Sequence, residues 1–212
     1  MNKLTLALIF ILECFALPIQ YFLLLDGTEL SIVEATVRFF SYFTILTNSL
    51  VAICCGFLLL PSAIKPNQFF SKNTTLTAIT VYILIVGLVF NIILRPTVNL
   101  MGLHLLVSEI FHTLVPLLFL FFWIRFVPKH ALPWNSLPKW MIYPLVYVLY
   151  TLIHGIYSGF YPYPFIDAGK LGFSTAMTNG LVVLLAFVIL SALLIAVGKL
   201  KIKEKASDRS VS

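Results

Sequence analysis

Thr44, Thr47 and Asn48 stand at i, i+3 and i+4, a spacing that gathers two hydroxyls and a carboxamide on one side of a helix. Farther along, His104, Ser108 and His112 step by four, Glu109 precedes His112 by three, and His154 and Ser158 repeat the step of four. A threonine hydroxyl is a weak nucleophile until a neighbouring base takes its proton, and histidine is the side chain best poised for that near neutral pH. In such chemistry Thr44 attacks, His112 is its base, and Asn48 donates its amide to a developing oxyanion. Glu109 or His154 then orients or charge-tunes His112. A plainer use competes with this one. Ser and Thr in membrane helices commonly bond back to the i−4 carbonyl or join helices together, and a lone histidine there more often packs or relays protons.

The elements that must position these groups are strongly apolar. Of 212 residues, 60% are hydrophobic and 10% charged, with a mean hydropathy of +1.02, whereas a soluble domain is roughly 25% charged. Six apolar runs, 4–25, 39–60, 74–94, 103–127, 140–160 and 173–197, each have the roughly 20 residues that a helix needs to cross a 30 Å hydrocarbon core. The expected fold is therefore an all-α integral membrane bundle of six transmembrane helices. It forms a single domain over 1–198, with a basic, disordered cytoplasmic tail over 199–212. Glu13 interrupts the first run and no small-x-small cleavage site follows, so that run is expected to be a retained helix rather than a signal peptide.

Lysine and arginine set the orientation. With the N-terminus inside, the cytoplasmic side holds Lys3, Lys65, Lys72, Arg125, Lys129 and Lys139, together with the basic tail; only Arg38, Arg95 and Lys170 remain outside. Both termini are thus expected in the cytoplasm. The net charge of +6 reads as a topology signal, and no basic patch on a folded face suggests nucleic acid. His130 falls in the inner loop, away from the other polar groups.

Counting helical rise from the outer edge puts Thr44 roughly 9 Å deep, Glu109 about 10 Å, His112 about 15 Å and His154 roughly 10 Å. Asn91 and Asn179 fall in the same outer half, while Glu13 lies near mid-depth. Ionisable and amide groups at such depths are expensive to bury and mark function by default. Cys14, Cys54 and Cys55 lack metal-ligand or disulfide spacing and read as small core residues. His104, Glu109, His112 and His154 have no metal-motif spacing either, so neither metal nor cofactor is expected.

The segments RFFSYFTILTNSLVAICCGF, FHTLVPLLFLFFW and LYTLIHGIYSGFYPYPFID resemble the androgen-induced protein family. These are six-span membrane enzymes that hydrolyse fatty-acid esters of hydroxy fatty acids. Thr44 with Gly56, His112 with Thr113 and Pro116, and His154 with Gly155 or Gly159 and Tyr163-Pro164-Phe165 occupy the family's positions. The resemblance is closest to a bacterial branch, and implies Thr44 as nucleophile, His112 as base, membrane lipid and an acyl ester as partners, and a bacterial inner-membrane location. In one departure, the acidic or amide residue three after the family's threonine is here Thr47, with Asn48 one later. Between its prolines, YPYPFID reads as an interfacial aromatic belt or as a lid that admits acyl chains. Two other classes fit the same scaffold: a proton-coupled or small-solute transporter, for which no internal repeat is visible, and a non-catalytic lipid-binding protein.

Overall fold

A computed structural model describes residues 2–129 and 132–210; His130 lies outside the described residues. Among them the secondary structure is all helical. Five stretches are long and apolar enough to cross a membrane: Lys3–Asp26, Asn73–Thr97, Gly102–Phe126, Trp134–Ser158 and Phe173–Lys199. A sixth exists only if the bent pair Ile32–Ser41 and Phe43–Leu59 counts as one span.

That pair changes the expectation for run 39–60. The first member, α2 (Ile32–Ser41), makes an angle of 80° with α3 (Phe43–Leu59), and Tyr42 is the extended residue between them. Ser31 caps α2 by accepting from the Glu34 N–H. One side of α2 buries Ala35 and Phe39, while Ile32 and Val33 are exposed. Two of the backbone groups freed by the break go to α9 (Ile142–Ser158). Tyr147 donates its hydroxyl to the Ser41 carbonyl at 2.9 Å and accepts from the Phe43 N–H at 3.2 Å. Unsatisfied backbone is prohibitive in lipid, so this tyrosine is what makes the bend affordable.

α1 (Lys3–Asp26) packs against α3, and Leu6 and Ile9 of α1 and Val51, Cys54 and Cys55 of α3 share one core without solvent exposure. α5 (Asn73–Val89) is the most enclosed span and runs on through a π turn, Phe90–Leu94, and a 3-10 turn, Arg95–Thr97. The short α4 (Lys65–Phe70) precedes it. α6 (Gly102–Glu109) passes through a second π turn, Ile110–Leu114, into α7 (Val115–Phe126). Phe119, Phe122 and Trp123 of α7 are fully buried, and the Trp123 indole donates to Thr77 on α5 at 2.9 Å. α8 (Leu137–Trp140) leads into α9; α10 (Ala168–Leu171) precedes α11 (Phe173–Ser210). Leu149 and Ile156 on α9, and Leu181 and Leu185 on α11, are more than half exposed. Apolar exposure on this scale fits a bundle that meets lipid.

Candidate active site

Two π turns face each other where the polar residues meet. Pro116 has no N–H to give the carbonyl four residues back, which leaves the His112 carbonyl without its helical donor. Asn91 takes it at 2.9 Å, and also donates to the Gly87 carbonyl at 2.9 Å. Contact this close requires glycine at 87, where a Cβ would lie 2.9 Å from the His112 oxygen and 3.3 Å from the Pro116 ring. Wide turns of this kind recur at functional sites.

The His112 ring stacks on Phe90, centroids 3.8 Å apart and 15° from parallel. Its Nδ1 lies 2.8 Å from the Ser108 carbonyl and 3.2 Å from the Ser108 hydroxyl. A carbonyl only accepts, so Nδ1 carries the proton and the neutral ring turns the Nε2 lone pair outward. Facing that lone pair at 3.5 Å is the hydroxyl of Thr44, in the first turn of α3. This is long for a hydrogen bond, as nucleophile–base pairs often are before substrate binds.

Tyr163 completes the arrangement. Its hydroxyl is 3.2 Å from the Thr44 hydroxyl and accepts from the Thr44 N–H at 3.1 Å. With Thr44 donating to His112, one direction satisfies every member: the Thr44 N–H to the Tyr163 oxygen, the Tyr163 hydroxyl to Thr44, the Thr44 hydroxyl to His112, and His112 to Ser108. Burial pushes the Tyr163 phenol up to about 12, so it remains a donor at neutral pH. The sequence pointed to Tyr163 as an interfacial aromatic or part of a lid, confined between Pro162 and Pro164, and gave it no role beside the Thr44 hydroxyl.

The loop is tied down from two sides. The Asn179 amide on α11 donates to the Phe165 carbonyl at 2.8 Å, and Phe165 stacks on Tyr163 with centroids 5.3 Å apart. On α9, the Tyr161 ring fills the space that a Cβ at Gly155 would need.

Other candidates take different places. Asn48 is fully buried one turn deeper, with its amide engaged on the Thr44 carbonyl at 2.8 Å, which braces α3 instead of reaching the hydroxyl. Thr47 meets the Tyr143 hydroxyl at 3.3 Å. Glu109 pairs with Arg95 at 2.5 Å, and Arg95 also bonds Asn91 at 2.8 Å, so Ser108 is the group that orients His112. His154 bonds Ser158 and stacks on Tyr150, apart from Thr44 and His112. Gly56 allows close approach of the Phe10 ring and lies outside the site. His104 is exposed on the wall of a chamber of about 330 Å³ that also reaches Gln20, Thr44, His112 and Tyr163. Glu13 is fully buried with both carboxyl oxygens unpartnered. Among the described residues, no three His, Cys, Asp or Glu side chains come together as a metal-ligand set.

The arrangement holds the parts of an acyl-transfer site: a hydroxyl, a base with its lone pair turned to it, an orienting group behind the base, and donors beside the hydroxyl. Compared with known proteins, the chain matches no family model, no curated protein and no solved structure.

Proposed function

We propose that this chain is a six-span membrane hydrolase of lipid esters in which Thr44 is the nucleophile and His112 the base. The observation that carries the reading is the one-directional chain of hydrogen bonds from Tyr163 through Thr44 and His112 to Ser108. The resemblance of the Thr44, His112 and Tyr163 segments to the androgen-induced protein family supports the same chemistry. Counting the bent α2–α3 pair as one crossing gives six spans, and the lysine bias then places both termini in the cytoplasm and the site in the outer half of the bilayer. The bacterial branch of the resemblance supports an inner-membrane location.

In this reaction the Thr44 oxygen bonds to the ester carbonyl carbon as its proton passes to His112 Nε2. The carbonyl oxygen becomes an oxyanion beside the Tyr163 hydroxyl and the Thr44 N–H, at the positive end of α3. The carbon–oxygen bond to the alcohol breaks, and His112 returns the proton to the departing alkoxide. Water, deprotonated by His112, then attacks the acyl-threonine, releasing the carboxylic acid and restoring the Thr44 hydroxyl.

The test is fluorophosphonate labelling and turnover of branched fatty-acid esters and simple acyl esters by purified protein in detergent. Labelling and turnover are expected in wild type and absent from Thr44→Ala and His112→Ala proteins that still elute as folded bundles. Activity unchanged in both variants would sink the assignment. One observation favours a second reading: Glu13, buried without a partner, is the kind of group that carries protons through a bundle. Proton flux into proteoliposomes that Glu13→Gln abolishes would move the weight to transport.

A further inference from the structure

A second cavity also touches Thr44, and a third adjoins that one. A narrow slot of about 70 Å³ between α5, α9 and α11 begins at Thr44 and Tyr163 and is walled almost entirely by apolar groups, among them Val86, Pro144, Val183 and Phe187. Beyond it a groove of about 120 Å³ opens between α9 and α11. Slot and groove share Val148, Ile166, Gly180 and Leu184 in their walls, so they abut. Leu145 and Leu181 also line the groove and are 48% and 59% exposed, so it reaches the outer surface of α9 and α11. The chamber beside His112 differs in kind: it is wider and carries Gln20, Thr97, His104 and Ser108 in its wall.

From this asymmetry we infer that the substrate's acyl chain lies in the slot and groove, entering sideways from the bilayer between α9 and α11, while its alcohol part occupies the chamber. The inference deepens the hydrolase reading and rests on it for the orientation of the ester. A saturated chain has nothing to bond with, and the slot offers almost nothing to bond to; the oxygen-bearing half is better matched by the chamber. The carbonyl then falls at the junction, where Thr44 and Tyr163 belong to both walls. Because the groove opens to lipid, a long tail is not cut off by a closed end. The enzyme therefore favours long acyl chains over short ones.

Gly180 makes the path testable. It lines both slot and groove, and a Cβ built there meets nothing within 4 Å, so a side chain enters open space rather than the backbone of a neighbour. The experiment uses full-length Thr44→Ala protein in detergent with a photoreactive diazirine-bearing palmitoyl ester, the labelled peptides being mapped by mass spectrometry. Label is expected on Val148, Val183 or Leu184, and Gly180→Phe in the same background should remove it; Gly180→Val serves if the larger ring prevents folding. In protein that retains Thr44, Gly180→Phe should lower the palmitoyl-to-acetyl ratio of kcat/KM about tenfold or more, the scale on which apolar pockets discriminate. Label confined to lipid-facing positions, or label and ratio both indifferent to Gly180→Phe, overturns the inference. Slot labelling with no turnover by wild type would retire the hydrolase reading and leave the acyl path standing. Turnover with label elsewhere would do the reverse.

Discussion

His112 and His154 look alike in the sequence, each four residues from a serine on a membrane-length helix, and each has its Nδ1 3.2 Å from that serine's hydroxyl. Their surroundings separate them. Ser158 follows His154 and donates to the histidine's own carbonyl at 2.7 Å, so the pair closes on itself; its ring rests on Tyr150 and the edge of Phe160. Ser108 precedes His112, its carbonyl fixes the proton on Nδ1, and the second nitrogen is left for Thr44. The contrast shows that what turns a ring nitrogen toward Thr44 is interrupted backbone, a π turn and a proline, more than the His–Ser step. The step alone yields a packed histidine.

The largest effect should separate the two histidines. His112→Ala is expected to lower ester turnover about 10²–10⁴-fold, the usual worth of a positioned acid–base group. His154→Ala should change it no more than about twofold, the scale of a substitution outside the site. Steady-state kinetics on both variants decides the point, and equal losses would break the comparison. Next in size is Tyr163→Phe, which keeps the ring and its stacking on Phe165 but removes the hydroxyl. Loss of one oxyanion donor costs about 10²–10³ in kcat, with KM expected to change little. A change confined to KM would instead make Tyr163 part of the binding wall.

The membrane class and the apolar spans were legible because hydrocarbon length acts locally along the chain. The bend at Tyr42 was not, because run 39–60 is apolar on both sides of it. What permits the break is Tyr147, more than a hundred residues later, a contact that no local pattern reports. Asn48 misled for a related reason. Its i+4 spacing from Thr44 was read as aiming its amide at a developing oxyanion, yet the same spacing brings that amide to the Thr44 carbonyl. Glu109 was expected to orient or charge-tune His112; its ion-pair partner is Arg95, which lies on a different helix and had served only as a marker of topology.

Two smaller substitutions probe what holds each half of the site. Gly87→Ala drives a methyl against the His112 carbonyl and Pro116, and overpacking of this kind costs about 1–3 kcal/mol. A lowered midpoint of thermal unfolding in detergent is expected, with activity falling because the carbonyl that Asn91 holds must shift. On the other histidine's own helix, the space above Gly155 is filled by Tyr161 of the loop, so Gly155→Ala should loosen the loop while leaving the His112 backbone as it is. Thermal loss without any loss of activity in Gly87→Ala would mean that the π-turn contact supports the fold and not the base.

The smallest effect belongs to Asn179, whose amide holds the Phe165 carbonyl and, through the stacked ring, the position of Tyr163. Removing one such bond is worth about 1 kcal/mol of stability, and Asn179→Ala should lower kcat by only a few fold because Pro162 and Pro164 still restrict the loop. Its meaning lies in coupling. If Asn179 acts only by placing the Tyr163 hydroxyl, then adding Asn179→Ala to Tyr163→Phe should lower kcat no further, a non-additivity that independent sites do not show. Additive losses in that double variant would assign Asn179 to the packing of α11 and leave Tyr163 to the prolines alone.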